Sequence, residues 1–367
     1  MTPRIRARTR PTPSLALASA PTVALAAALV TAAPLSSAVA DAADADDAPP
    51  ESSVMPAADD LILESGELRA SDVSAYLEAY RREAARMHIE YDGERSPLSF
   101  VAVEGDRLIL EYGRGVIVSE PGGSEGSTGP VTLLEGDVAR VADGEDAFLE
   151  SVTRRLRAEK GFRLAETDGG DERFAGEVVD ERSGETIAVT GASNDALFVG
   201  GRVFFSLDGE DLHLRGLFGT RAYLELEELL EREPGIRRLV FDDVQGSVND
   251  AINLHIGRLV REAGLATHVP ADGSTVSGGS DLFVAGHPRT VEPGGVIGVH
   301  AGCCVDGRGV DEVPRSHPVH TKFVAYHEEM LGERGEAFHF FTVEAAPFDG
   351  MHHMSREEML RYGVVTR

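Results

Sequence analysis

The sequence contains no tryptophan, and aromatic residues make up only 6% of its 367 positions. Few flat side chains are therefore available to stack on nucleic-acid bases. Basic residues are also few: the sequence has 35 lysines and arginines against 62 aspartates and glutamates, and its formal net charge is −27. Phosphate backbones are bound by basic surfaces, so this charge argues against a nucleic-acid partner. We interpret the excess of acid as a contribution to solubility.

Cysteine is scarce as well. Cys303 and Cys304 are the only two cysteines, and they are adjacent. Adjacent cysteines seldom bridge each other, because the bridge strains the geometry that a disulfide prefers. We therefore expect no disulfide framework of the kind that stabilises small exported domains.

Long apolar runs are lacking except near the N-terminus. Four arginines within residues 1–10 precede the uncharged stretch Leu15–Val30, and Ala38-Val39-Ala40 stands just before an acidic run. This is the layout of a secretory signal peptide, which we assign to residues 1–40. Pro21 interrupts the stretch, so a permanent span is disfavoured, although an uncleaved anchor stays open. We expect a protein exported to the periplasm or beyond, with no membrane span after cleavage.

The remainder of the chain divides into three parts by composition and pattern. Residues 41–60 are rich in Ala, Asp and Pro and are predicted to form a disordered linker. Residues 61–195 contain no motif of known chemistry and are predicted to form an α+β accessory domain. From about residue 200 onward strands alternate with helices, which predicts an α/β domain with a mostly parallel sheet over residues 200–367.

In the accessory domain, apolar spacing predicts helices at Ser71–Met87 and Asp146–Lys160. The predicted strands of this domain are Ser99–Val103, Arg107–Tyr112, Gly115–Ser119, Val131–Leu134, Thr186–Thr190 and Leu197–Val199.

In the α/β domain the same reading predicts the following strands: Val203–Ser206, Leu212–Leu217, Arg238–Phe241, Leu265–Val269 and Val296–Val299. The predicted helices are Arg221–Arg232, Asn249–Ala263, Ser277–Ala285, about 320–331, 336–345 and 355–362. Ser355 and Glu358 have the spacing of a capping box at the start of the last helix.

One serine stands where a nucleophile could be held. Ser277 lies between a strand and a helix and is followed by Gly278 and Gly279. At such a turn the hydroxyl projects outward, and the first N–H groups of the helix are free to bind the oxyanion that forms when serine attacks a carbonyl.

Two further segments could complete a site around this serine. His300 ends the buried strand Val296–Val299, and a neutral imidazole there could take the serine proton. Asp243–Val248 follows another buried strand and could present backbone N–H groups beside Ser277.

Taken in order, these elements resemble the Clp-protease proteolytic-subunit/crotonase-like superfamily, and its exported bacterial relatives in particular. The matching segments are Leu212–Phe218, Asp243–Val248, Gly264–Val269, Ser277–Arg289, Gly298–His300 and Met354–Val365. The resemblance covers about residues 200–367 and implies a ClpP/crotonase-like ββα-repeat domain.

The resemblance further implies a serine hydrolase, with a peptide or protein as the favoured substrate and no cofactor. In it Ser277 is the nucleophile and His300 the general base. The oxyanion would be bound by backbone N–H groups of Gly278 and of the turn at Gln245 and Gly246. The superfamily commonly assembles into trimers or larger rings, so a homo-oligomer is implied as well.

The chain departs from the pattern of this superfamily at three positions. Gln245 replaces a glycine and Val244 a proline, and Met351 stands where the superfamily has an aspartate. Asp349 is the nearest carboxylate and is our candidate for orienting His300, and a plain Ser277–His300 dyad is the alternative.

Histidine is concentrated late in the chain. Seven of the twelve histidines fall between residues 300 and 353, and His317 and His320 form a loose H-x-x-H. Pro318 argues against placing both on one helix face, and the H-E-x-x-H motif is absent. We therefore predict that they line a cleft or a subunit interface and that the chain has no metal site.

Two other classes of function stay open. One is a crotonase-type enzyme that stabilises a thioester enolate without a nucleophile. The other is a non-catalytic envelope-binding or scaffold protein on the same fold, which the altered Asp243–Val248 loop and the missing aspartate would accommodate.

Overall fold

The computed structural model describes residues 57–63, 66–104, 106–123, 126–167, 170–303, 305 and 308–366. The predicted signal peptide and residues 41–56 of the predicted linker lie outside the described residues. The linker prediction extends too far at its other end, because Ala58 is buried and Asp59–Leu61 forms one turn of 3-10 helix. The cause is tertiary contact, since the N–H of Ala58 donates to Glu83.

The first half of the described chain is built on an antiparallel sheet of ten strands. The strands are β1 His88–Tyr91, β2 Glu94–Pro97, β3 Ser99–Glu104, β4 Arg107–Tyr112, β5 Gly115–Ser119, β6 Val131–Glu135, β7 Arg154–Ala158, β8 Arg163–Glu166, β9 Glu172–Asp180 and β10 Thr186–Ser193. Their order is β2-β1-β10-β9-β7-β6-β5-β4-β3, with β8 paired to β9. Burial alternates along β10, where Ile187 and Val189 face the core between exposed neighbours.

Three α-helices accompany this sheet in the described residues: α1 Val73–Ala84, α2 Glu145–Ser151 and α3 Ala196–Val199. The predicted helix Asp146–Lys160 is therefore wrong in its second half. Leu156 continues the apolar spacing of α2, but Arg154–Ala158 pairs with β6 and β9 as a strand. The predicted strand Leu197–Val199 is wrong too, because it belongs to α3; short apolar runs do not distinguish the two structures.

The second half contains a mixed sheet of eight strands. They are β11 Arg202–Asp208, β12 Asp211–Phe218, β13 Arg238–Ser247, β14 Ala266–Val269, β15 Ser274–Val276, β16 Arg289–Val291, β17 Val296–Val299 and β18 His352–His353. Their order is β11-β12-β13-β15-β17-β18, with β14 paired to β13 and to β16. The pairs among β12 to β17 are parallel, and β11 and β18 pair antiparallel at the two ends of this order. The predicted α/β class is confirmed by this mixed helix and strand content.

Six α-helices belong to this half of the described chain: α4 Thr220–Arg232, α5 Asp250–Glu262, α6 Gly278–Phe283, α7 Thr321–Leu331, α8 Gly335–Ala345 and α9 Arg356–Arg361. Ser355 and Glu358 form the predicted capping box at α9. Among the described residues, no helix has the length and apolar character needed to cross a bilayer.

The parallel strands bring their carboxyl ends to one edge of the sheet. The first part of β13 pairs with β14 and its last part with β15, and β15 in turn pairs with β17. The segments that follow β13, β15 and β17 therefore meet beside one another. Ligands of parallel sheets commonly bind at this edge.

Each sheet has its own hydrophobic core. The core of the second sheet includes Phe241 of β13, Phe283 of α6 and Ile297 of β17, all fully buried. The strand ends that carry the site are thus anchored by large apolar side chains a few residues away.

Cys303 is disulfide-bonded, so the expectation that the cysteines do not bridge is wrong at this position.

Candidate active site

Ser277 connects β15 to α6 and has a backbone conformation that residues other than glycine rarely adopt. Its φ is 54° and its ψ is −132°, and Asp92 is the other non-glycine residue with positive φ in the described part of the chain. A hydrogen bond to β17 stabilises this turn, because the N–H of Ser277 donates to the carbonyl of Gly298 over 2.9 Å. Strain of this kind persists where surrounding contacts enforce it, and it is frequent at active sites.

His300 follows directly after β17 and reaches this serine. Its Nε2 lies 2.7 Å from Oγ of Ser277. Because β15 and β17 are hydrogen-bonded neighbours, the two side chains leave adjacent strand ends. The structure thus brings together the predicted nucleophile and the predicted base within hydrogen-bond distance.

The other ring nitrogen of His300 contacts the main chain. Nδ1 lies 2.9 Å from the carbonyl oxygen of Phe348, and the Phe348 ring stacks beside the imidazole. A carbonyl can only accept, so Nδ1 carries a proton. In neutral His300 the free lone pair is then on Nε2 and faces the Ser277 hydroxyl.

Asp349 does not occupy the orienting position predicted for it. The acceptor at Nδ1 is the carbonyl of the preceding residue, Phe348, and Asp349 itself is exposed. The Pro347–Gly350 turn holds this carbonyl in place through a hydrogen bond from Gly350 to Pro347. The arrangement is a Ser277–His300 pair oriented by a peptide group.

The surroundings keep His300 neutral. Burial lowers the pKa of His300 below its usual value, while the hydrogen bond to Phe348 and the negative charge of Asp281 oppose that shift in part. Asp281 is fixed on α6 by His327, whose Nε2 lies 2.8 Å from a carboxylate oxygen. A neutral imidazole with a free Nε2 lone pair is the state that a general base needs.

The loop predicted to bind an oxyanion belongs to β13, which extends further than expected and is interrupted by bulges. Leu217 pairs with Gly246 and Gly216 with Val244, so Gln245 is left out of the ladder. Gln245 is exposed, and a bulged residue has unpaired backbone groups. Bulges of this kind are common beside active sites.

Gly246 lies against the nucleophile itself. A Cβ atom on Gly246 would come within 3.0 Å of Ser277 Cβ and 3.4 Å of its Oγ. The φ of Gly246 is 130°, which also disfavours any other residue. The Gly246 backbone therefore lies directly beside Ser277.

Gly278 completes the contact between α6 and this loop. A Cβ atom there would lie 2.5 Å from Ser247 Cβ. The carbonyl of Gly278 accepts a hydrogen bond of 2.8 Å from buried Asn253 on α5. The N–H of Ser280 donates to the carbonyl of Ser277 over 2.8 Å. The N–H groups of Gly278 and Gly279 have no acceptor within α6.

Five of the late histidines other than His300 are hydrogen-bonded to groups other than Ser277. His320 Nδ1 lies 3.0 Å from His339 Nε2, and burial lowers the pKa of His339 to about 3. His317 accepts from the N–H of Val319, and His352 lies 3.1 Å from a Glu358 carboxylate oxygen. Within the described ranges, no three His, Cys, Asp or Glu side chains come together as metal ligands would.

Two contributors to this site escape sequence reasoning. Every residue has a carbonyl, so nothing in the sequence marks that of Phe348 as the orienting group. Asn253 looks like an ordinary helix position, and only the fold places it against Gly278. Asp281, by contrast, follows Ser277 by four residues in the sequence and could have been considered as the nearby carboxylate.

No protein-family model matches the chain, and no curated protein matches it. Among solved structures, it is similar to a variant of the 1510-N membrane-bound stomatin-specific protease, at 18% identity and a TM-score of 0.32 over 42% of this chain and 75% of that one. A second variant of that protease, in complex with a substrate peptide, matches at 19% identity and a TM-score of 0.29 over 40% of this chain and 66% of that one.

An enoyl-CoA hydratase/isomerase from Cupriavidus metallidurans CH34 is similar at 15% identity and a TM-score of 0.29, over 44% of this chain and 66% of that one. Likenesses this distant transfer no activity, so the function is inferred from the geometry of the site.

The close approach of Gly246 generates a first prediction. Gly246→Ala should lower the rate at which Ser277 reacts with a fluorophosphonate probe by on the order of 10²-fold, because the new methyl group displaces the loop or the nucleophile. Gly209→Ala is the matched control, since Gly209 also has positive φ but has no atom near its Cβ position. Wild-type reactivity in Gly246→Ala would show that the loop does not serve Ser277.

The environment of His300 generates a second prediction, on pH. The base must be unprotonated, and burial lowers its pKa, so the labelling rate should persist to lower pH than it would with an ordinary histidine. It should fall only in more acid solution, with a midpoint below the usual histidine value of about 6.5. A rate profile of Ser277 labelling against pH measures this midpoint, and a value of 7 or above contradicts the assignment.

Proposed function

We propose that this protein is a serine hydrolase that cleaves an amide or ester bond, with peptides or proteins as the favoured substrate class. The observation that carries the proposal is the 2.7 Å contact between Ser277 Oγ and His300 Nε2, with Nδ1 bound to the Phe348 carbonyl. A hydroxyl, a correctly oriented neutral base and nearby backbone donors are the parts that acyl transfer requires.

In the first half-reaction Ser277 Oγ attacks the carbonyl carbon, and its proton moves to His300 Nε2. The negative charge on the carbonyl oxygen is met by backbone N–H groups of Gly278 and of the Gln245–Gly246 loop. The carbon–nitrogen or carbon–oxygen bond then breaks, and His300 passes the proton to the leaving group. An ester between Ser277 and the acyl group remains.

In the second half-reaction a water molecule attacks this ester and gives a proton to His300. The bond to Ser277 Oγ breaks, and the proton returns from His300 to the serine. A carboxylic acid leaves. Each step balances without a cofactor or metal ion.

A peptide substrate is supported by the exposed bulge of β13. The backbone of Gln245 is outside the ladder between β12 and β13, and an extended chain could pair with it while its carbonyl approaches Ser277. The proposed location, in the periplasm or outside the cell, depends on residues 1–40. The proposed homo-oligomer depends on the resemblance to the ClpP/crotonase-like superfamily.

Active-site labelling tests the proposal. A fluorophosphonate should label wild-type protein at Ser277, because the reagent requires an activated serine. Ser277→Ala should abolish the label, and His300→Ala should slow it by at least on the order of 10³-fold. Ser274→Ala and His353→Ala are matched controls on β15 and β18 and should label as wild type.

The same variants separate the alternatives. Casein or peptide hydrolysis that disappears in Ser277→Ala and His300→Ala would support a peptidase and exclude a purely structural scaffold. A folded wild-type protein that leaves Ser277 unlabelled would contradict the proposal and favour an enolate-stabilising enzyme or a scaffold.

A further inference from the structure

Three buried polar side chains from distant parts of the chain form one hydrogen-bond cluster. Tyr76 lies on α1 of the accessory domain, Thr220 opens α4, and Asn249 precedes α5. Tyr76 Oη lies 2.7 Å from Asn249 Nδ2 and 3.1 Å from Thr220 Oγ1. Asn249 Nδ2 lies 3.2 Å from Thr220 Oγ1. All three residues are buried, so their polar groups must satisfy one another.

The direction of each hydrogen bond in this cluster follows from its chemistry. The Thr220 hydroxyl donates to the carbonyl of Val199, so its oxygen accepts from the other two residues. Burial raises the pKa of Tyr76, which keeps its proton and can donate it to Thr220. The Asn249 amide then donates one hydrogen to Tyr76 and the other to Thr220.

Asn249 connects this cluster to the loop beside the nucleophile. Its N–H donates to the Ser247 hydroxyl over 3.1 Å, and its side-chain oxygen accepts from the N–H of Ile252 and caps α5. Ser247 directly follows Gly246, and its side chain packs against the backbone of Gly278. Only Asn249 and Ser247 therefore separate the Tyr76 hydroxyl from the proposed oxyanion site.

The ring and the hydroxyl of Tyr76 have separable roles. The ring packs in a hydrophobic cluster with Val73 and Leu77 of its own helix and with Ala251 and Ile252 of α5. Packing of this kind needs no oxygen atom. The hydroxyl matters for Asn249, because without it one buried amide hydrogen loses its acceptor.

We infer that the accessory domain serves the reaction at Ser277 by fixing the segment Gln245–Asn249, which ends β13 and leads into α5. Tyr76 is the positioning residue. This inference rests on the proposed hydrolase function. It gives residues 61–195 a role in the chemistry although they contribute no group to the reacting atoms.

Hydroxyl deletion in the full chain tests the inference. Tyr76→Phe keeps the ring, and Tyr80→Phe is the matched control, because Tyr80 is buried one turn further along α1 with its hydroxyl beside Gly200. For fluorophosphonate labelling of Ser277, we expect Tyr76→Phe to lower the limiting rate constant by on the order of 10-fold, with the half-saturating probe concentration nearly unchanged. Tyr80→Phe should match wild type in both.

Amide hydrogen exchange of residues 245–250 supplies the second readout. Exchange there should accelerate in Tyr76→Phe and not in Tyr80→Phe. Equal labelling by Tyr76→Phe and wild type, or equal losses in the two variants, would overturn the inference, because the hydroxyl would then have no specific effect on the loop.

A wild-type protein that is never labelled at Ser277 would instead overturn the proposed function. In that case the exchange comparison still decides whether Tyr76 fixes the loop. Faster exchange confined to Tyr76→Phe supports the contact between domains, and unchanged exchange rejects it.

Discussion

The hydrogen bond between His300 Nδ1 and the Phe348 carbonyl determines the protonation pattern on which the rest of the site depends. Because a carbonyl has no proton to give, it selects the tautomer that leaves Nε2 free toward Ser277. Burial acts in the same direction by keeping the imidazole neutral. A carbonyl oxygen, however, carries only a partial negative charge. It therefore stabilises the imidazolium that forms during the reaction less than a carboxylate would. Asp281, held by His327, is the carboxylate whose field favours that charged state.

The remaining parts of the site depend on close contacts between main-chain segments. Gly246 lets the bulged end of β13 approach Ser277, and Gly278 lets α6 approach Ser247. These contacts exist because the parallel strands end at one edge of the sheet. The buried cluster around Asn249 extends the same dependence to Tyr76 in the first half of the described chain. Two separately cored halves of the chain thus converge on one loop.

The parts of this structure that follow from local pattern could be predicted from the sequence. Strand β17 and the capping box of α9 have clear local signals, and the order of motifs along the chain singled out Ser277 and His300. The predicted helix at Asp146–Lys160 was wrong because pairing with β6 outweighs its apolar spacing. The Phe348 carbonyl could not be predicted, since only the tertiary fold distinguishes one carbonyl from another.

The tautomer of His300 is the most direct test of this account. Nitrogen-15 NMR of the imidazole at neutral pH distinguishes a protonated ring nitrogen from an unprotonated one by chemical shift. The account predicts a proton on Nδ1 and none on Nε2. A proton on Nε2, or a doubly protonated ring at pH 7, would contradict it, because His300 could then not accept the proton of Ser277.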